Sequence, residues 1–243
     1  GNKVPIHVWT DDIEKEAQCQ AEVLANTLPI HHHLSLMPDV HGGKGMPIGG
    51  VLALDNAICV NAVGVDIGRG VSAIKLNLDF ITLLSQKAVY SLIRQKIPLG
   101  FNVNREKTEW EGFNNIPNSC VIEQNLDKAV FALGSLGGGN HFLEFQIGDD
   151  KHVWVMVHSG SRNIGLKTTV YYHELSKQKG HVVGDNTELA YFDFDSELGQ
   201  EYYQAMKWCC DFAYENRSEI LRRVLYSMNE CIRNVRVLEY HNI

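Results

Sequence analysis

The sequence predicts an α+β fold, with mixed sheets and surrounding helices. Three observations carry that prediction. Residues 72–78 (SAIKLNL), 141–147 and 152–157 alternate in the way of strands. Residues 80–96 have helical apolar spacing, and the stretch from residue 200 onward holds no Gly or Pro to interrupt a helix. The two kinds of element follow one another without a repeating strand–helix–strand rhythm.

Taken in order, residues 37–70 form a Gly-rich front segment, and 72–78 follow as a strand. The helix over 80–96 ends before Pro98. Residues 100–120, rich in Asn and Gly, read as a loop, and a short helix is expected over 127–133. A Gly-rich loop at 135–140 (SLGGGN) opens a hairpin of strands 141–147 and 152–157, turning at Gly148, Asp149 and Asp150. A helix after Arg162 runs to about residue 179 and stops at Gly180. From residue 200 onward there is no Gly or Pro, and Asp195 or Ser196 is placed to cap a helix reaching about residue 234, with room for one break.

At 243 residues, 44% hydrophobic and 21% charged, the composition is that of a globular chain, here read as one domain over 1–243. No window approaches 18 consecutive apolar residues, so no membrane span is expected, and the first residues lack a signal-peptide pattern. A start at Gly1 rather than Met fits a trimmed chain. Six scattered cysteines without a CxxC point to free thiols in a reducing, cytoplasmic setting. The net charge of −7 argues against gripping nucleic acid by bulk charge, while leaving room for a small basic groove.

Four segments put ligand-type residues at element edges. In 37–45 (MPDVHGGKG), Asp39 and His41 are two apart and point the same way on extended backbone; the plain alternative is a surface turn. In 64–70 (GVDIGRG), Asp66 sits between apolar residues and needs a cation or hydrogen-bond donors, which an ion pair with Arg69 would also supply. In 137–144 (GGGNHFLE), His141 opens a strand, flanked by Asn140 and Glu144; a hydrogen-bonded structural His fits equally. In 158–162 (HSGSR), His158 ends a strand where a helix begins, and Arg162 can hold phosphate oxygens; a capping serine and a solvated Arg are the alternative. His241-Asn242 is a fifth, weaker item. Carboxylate and imidazole together suit Mn²⁺ or Zn²⁺, so the residues alone point to a metal-dependent enzyme acting on a phosphate-containing substrate.

The same stretches resemble the RtcB family of GTP-dependent RNA ligases: MPDVHGGKG, PIGG (47–50), VGVDIG (63–68), SLGGGNHFLE (135–144) and HSGSRNIG (158–165), in that order. LAYFD (189–193) and the AM…C..FA..NR pattern over 205–217 add to it. The resemblance implies joining of an RNA 3′-phosphate or 2′,3′-cyclic phosphate to a 5′-hydroxyl, with GTP, two Mn²⁺ ions and a histidine–GMP intermediate. It implies Asp66, His141, His158 and His241 as metal ligands, and Asn140 and Glu144 as guanylate contacts. It also implies Arg162 at RNA or phosphate and Asp39 as an acidic residue needed for activity. Alternatives from other classes are a catalytically silent relative that binds RNA ends and a metal-dependent phosphohydrolase.

Two departures stand out. Arg69 occupies the place of a family cysteine that bridges both metals; a cationic guanidinium cannot ligate, so at most a His-rich mononuclear site is expected. The family also carries its nucleophilic histidine in an HGAGR-type motif beyond the HN pair, and the 243 residues contain no such motif.

Overall fold

The computed structural model describes residues 1–79, 87–183 and 189–243. Among them are six α-helices and ten strands in mixed and antiparallel sheets, the α+β class that the sequence predicts. The chain divides into two compact units: residues 1–65 with 168–204, and residues 66–167 with 205–243.

In the first unit, α1 (Lys15–Thr27) buries Ala17, Ala21, Leu24 and Ala25, a single stripe at helical spacing. The stripe packs on β2 (Ile30–His41), which starts directly after Pro29 and turns Ile30, Leu34, Leu36 and Val40 inward. β2 lies between β1 (Ile6–Val8), parallel to it, and β3 (Ile48–Leu54), antiparallel. Its register slips between His31 and Leu34, where His32 takes φ 65°, so two residues bulge out of the ladder. A second sheet orders β4 (Ala57–Cys59), β9 (Ala190–Asp193) and β8 (His181–Val182), and α2 (Val60–Val63) is one helical turn after β4.

In the second unit, a four-stranded antiparallel sheet runs in the order β10 (Val237–Asn242), β5 (Gly70–Asp79), β7 (His152–Ser159), β6 (Phe142–Ile147). Period-2 alternation gives it two unlike faces. Ile74, Leu76 and Leu78 of β5 and Val153, Val155 and Val157 of β7 face the core. They meet Val89 and Ile93 of α3 (Lys87–Lys96) and Ile220, Leu221, Val224 and Met228 of α6 (Glu197–Cys231). Each such side chain contributes about 1.5–3 kcal/mol relative to exposure. The other face carries Val71 and Ala73, then Trp154, Met156 and His158, then Phe142 and Glu144, and at the β10 edge Glu239 and His241. α4 (Cys120–Ala132) and α5 (Arg162–Lys179) complete the helices, and the unit boundaries fall within α5 and α6.

The expected strand over 72–78 lengthens to Gly70–Asp79, and the hairpin stands as expected, turning at Gly148 with Lys151 at φ 69°. The helix expected over 127–133 begins seven residues earlier, at Cys120. Val121 and Ile122 are buried together with Ala129, so the apolar stripe starts directly after Ser119, at the end of a Pro-Asn-Ser turn. Of the helix expected over 80–96, residues 87–96 are helical, and 80–86 lie outside the described residues. α6 runs unbroken for 35 residues and ends at Cys231, three residues short of the expected end.

Candidate functional site

The open face of the second unit's sheet and the loops at its end bring three of the expected ligands together. Asp66 sits in the turn before β5, where the Arg69 N–H donates to the Asp66 carbonyl at 3.0 Å. Its carboxylate Oδ2 lies 2.8 Å from His141 Nε2, with side chains 26% and 7% exposed respectively. The carboxylate thus pairs with an imidazole, and Arg69 meets Asp66 through the backbone. His158 joins from the end of β7, its ring perpendicular to that of His141 with centroids 5.5 Å apart.

Both imidazoles are anchored in the same way. His141 Nδ1–H donates to the Leu136 carbonyl at 2.9 Å, and His158 Nδ1–H donates to the Gly70 carbonyl at 3.0 Å. A carbonyl only accepts, so each Nδ1 carries its proton and each Nε2 is the nitrogen left to act. Burial pushes the His158 ring below the usual imidazole range; the Gly70 bond opposes that shift, and the charges of His141 and Arg69 add to it. In a neutral His141, the Nε2 lone pair would face the Asp66 carboxylate, an arrangement that a proton or a cation between them relieves.

Glycines make room for this cluster. A Cβ on Gly160 would lie 2.1 Å from Asp66 Oδ1, and one on Gly137 would lie 1.9 Å from Arg162 Nη1. Arg162 is not the solvated arginine that the sequence allows. Its Nε donates to Ser135 Oγ and its Nη2 to the Gly100 carbonyl, both at 3.1 Å, and its backbone takes φ 58° at the first turn of α5. Burial lowers its pKa from the usual guanidinium value, and the nearby charge of Asp66 opposes that shift.

The remaining expected residues fall in different places. Glu144 lies on the His158 face of β6, where it accepts a bond from Gln146 Nε2 at 2.6 Å. Asn140 is exposed in the loop before it. Asp39 and His41 are in the first unit, both exposed on β2 with buried Val40 between them, as their spacing predicts.

His241 stands apart from the other three expected ligands. The register pairs His241 with Ala73 but His158 with Val71, so His241 stands one pleat further along the same face. There its ring packs against Trp154 at 5.6 Å, with Nε2 3.6 Å from Glu239 and the side chain 54% exposed. Among the described residues, no group of three His, Cys, Asp or Glu side chains is drawn together tightly enough to hold a metal ion. The donor chemistry of Asp66, His141 and His158 nevertheless fits a cation: one carboxylate and two imidazoles, each with its second nitrogen tied to a carbonyl.

Two residues of α6 hold the loops, and motif reading on ligand types passes over both. Asn216, fully buried, accepts from Gly134 N–H and donates to the Ser135 carbonyl, Ser159 Oγ and the Gly160 carbonyl. Arg217, 4% exposed, donates to the Gly68 and Ser159 carbonyls, Ser72 Oγ and Asn242 Oδ1. The sequence signal is positional. Both lie on the stripe that continues as Ile220, Leu221, Val224 and Met228, so a polar pair occupies a core-facing face.

Residues 20–128 and 103–243 match the family described as tRNA-splicing ligase RtcB. The chain belongs to the RtcB family. It is 30% identical to the RNA-splicing ligase RtcB of Escherichia coli (strain K12), over 92% of this chain and 60% of that protein. It is 32% identical to the tRNA-splicing ligase RtcB of Thermococcus kodakarensis, over 94% of this chain and 60% of that one. A similar relative from Nanoarchaeum equitans is 29% identical over 95% of this chain. The chain therefore spans about 60% of the length of the RtcB relatives it matches.

Proposed function

We propose that this chain carries the metal-holding part of an RNA ligase of the RtcB kind. The reaction joins an RNA 3′-phosphate or 2′,3′-cyclic phosphate to a 5′-hydroxyl, with GTP as guanylate donor through a histidine–GMP intermediate. No nucleophilic histidine is assigned among these residues. The observation that carries the reading is the matched anchoring of His141 and His158, each fixed through Nδ1 on a backbone carbonyl beside the Asp66 carboxylate. Asp66, His141 and His158 would hold Mn²⁺, which when bound supplies neutralising charge for phosphate oxygens.

The chain's own residues set the conditions for that chemistry. The Leu136 and Gly70 carbonyls fix the tautomers, and Gly160 lets the carboxylate come close. Arg162 braces the 135–137 loop beside the cluster with its Nη1 close over Gly137, and it is proposed to meet an RNA phosphate. Asn140 and Glu144 are proposed to contact the guanylate, and Asp39 to serve activity from the first unit. The six free cysteines support a reducing, cytoplasmic setting, and among the described residues no helix is long and apolar enough to cross a membrane.

Arg69 bears on how many ions are held. It is exposed, cationic and close enough to act on His158. We propose one Mn²⁺ rather than two, and calorimetric titration tests it: two tight sites per chain refute it, and Arg69→Cys is the companion variant. The ligase reading is tested on a gel with 3′-phosphate and 5′-hydroxyl RNA, GTP and Mn²⁺. Sealed product supports it. RNA binding without sealing supports the silent relative that the Arg69 charge favours, and phosphate release without joining supports a phosphohydrolase.

A further inference from the structure

We infer that the 98–109 loop of the second unit is a landing surface for single-stranded RNA, with Phe101 as its base-stacking platform. This rests on the RNA-ligase reading above and adds a place for the strand beside the metal-holding cluster.

Phe101 is fully exposed (106%), and its neighbours Leu99 and Val103 are half exposed. An exposed aromatic on a loose loop would carry little meaning, but this loop is held on every side. The Gly100 N–H donates to the Gly137 carbonyl at 2.8 Å, and the Leu136 N–H donates to the Pro98 carbonyl at 2.9 Å. Arg162 Nη2 grips the Gly100 carbonyl. Asn104 donates its backbone N–H to the Phe131 carbonyl, and its side chain donates to the Phe131 and Leu133 carbonyls, the latter two at 2.7 Å. Gly100 takes φ 62°, the left-handed turn that aims the next residue outward. The ring is thus presented in a fixed place, which lowers the ordering cost of stacking against it.

From Val103 onward the same loop borders a cavity of about 1040 Å³, lined by Val103, Lys96, Arg105, Lys107 and Tyr226. Lys96 Nζ stands 4.3 Å over the Tyr226 ring. Glu219 and Arg223 in its wall are paired with each other at 2.7 Å. That leaves Lys96, Arg105 and Lys107 against Glu106 and Glu109, a local excess of cations in a chain of net charge −7. Cations beside aromatic faces suit phosphates joined to bases, and the small charge excess implies that stacking carries more of the binding than charge does. Arg162, which holds the loop through the Gly100 carbonyl, also bonds Ser135 Oγ and feels the charge of Asp66, so a strand lying on Phe101 passes beside the site.

The test is fluorescence anisotropy of the full chain with a labelled single-stranded RNA. Phe101→Ala is expected to weaken binding about five- to a hundredfold, the range for loss of one stacked base. Because the ring is exposed, the thermal melt stays unchanged. Phe101→Trp retains affinity, and its fluorescence is quenched as RNA is added. Lys107→Glu lowers affinity and reduces the salt slope by about one. Equal affinity of Phe101→Ala and the parent chain overturns the inference while leaving the ligase reading in place. Absence of RNA binding by the parent chain overturns both. A change in self-association with RNA affinity intact makes Phe101 a protein contact and also overturns it.

Discussion

The chain has two histidine-rich places, and they are built differently. On β2 of the first unit, His31, His32 and His33 follow one another, and the rings find mainly each other and solvent. His31 and His32 are 3.7 Å apart, His33 stacks on His7 at 4.4 Å, and His31 Nδ1 reaches Asp55, with those two side chains 50% and 65% exposed. In the second unit, His141 and His158 are far apart in sequence, yet each is fixed by a backbone carbonyl that decides which nitrogen is free. Both places put an imidazole beside a carboxylate. In the first, Nδ1 is spent on that carboxylate at the surface; in the second, it is spent on the backbone and Nε2 is turned to the acid. A count of histidines does not separate the two, whereas the partner of Nδ1 does.

Five variants would break or sharpen this contrast. The largest effect is expected at the support of the second place. Arg217→Ala leaves several buried acceptors without a donor and should cost about 3 kcal/mol or more, read as a lower denaturation midpoint. A loss below 1 kcal/mol would mean that the α6 anchors do not hold the loops. Next, His141→Ala is expected to reduce Mn²⁺ affinity at least about tenfold by calorimetry, and Gly160→Ala to do so by displacing the Asp66 carboxylate. Unchanged affinity in either variant would detach the cluster from metal binding. The matching change in the first place, His31→Ala, should alter Mn²⁺ affinity less than about twofold, since a weak exposed pair is all that is lost. The smallest effect is expected for His33→Ala, whose melting midpoint should correspond to a change within about 0.5 kcal/mol. A larger loss would show that the stacked rings of the first unit are structural.

Much of this was legible in the sequence where one period dominates. The run HVWVMV writes its own two faces, so β7 and the position of His158 follow from alternation alone. The Gly-rich loops marked where close approach occurs, and Gly137 and Gly160 show it. β2 was harder, because three consecutive histidines and a Met-Pro pair hide its alternation and a bulge breaks it. The place of His241 depended on strand register between residues about 165 apart, which no local pattern encodes. The roles of Asn216 and Arg217 required knowing which helix face is buried, and only then does a polar pair on that face become conspicuous.

The common stripe of α6 has a further consequence for what this chain can tolerate. Anchors at 216 and 217 and apolar side chains from 220 onward share one helical phase. A single residue inserted between them would rotate one group about 100° from the other. The helix could then seat its greasy flank or clasp the loops, and not both, so the spacing between these positions is as constrained as the side chains themselves.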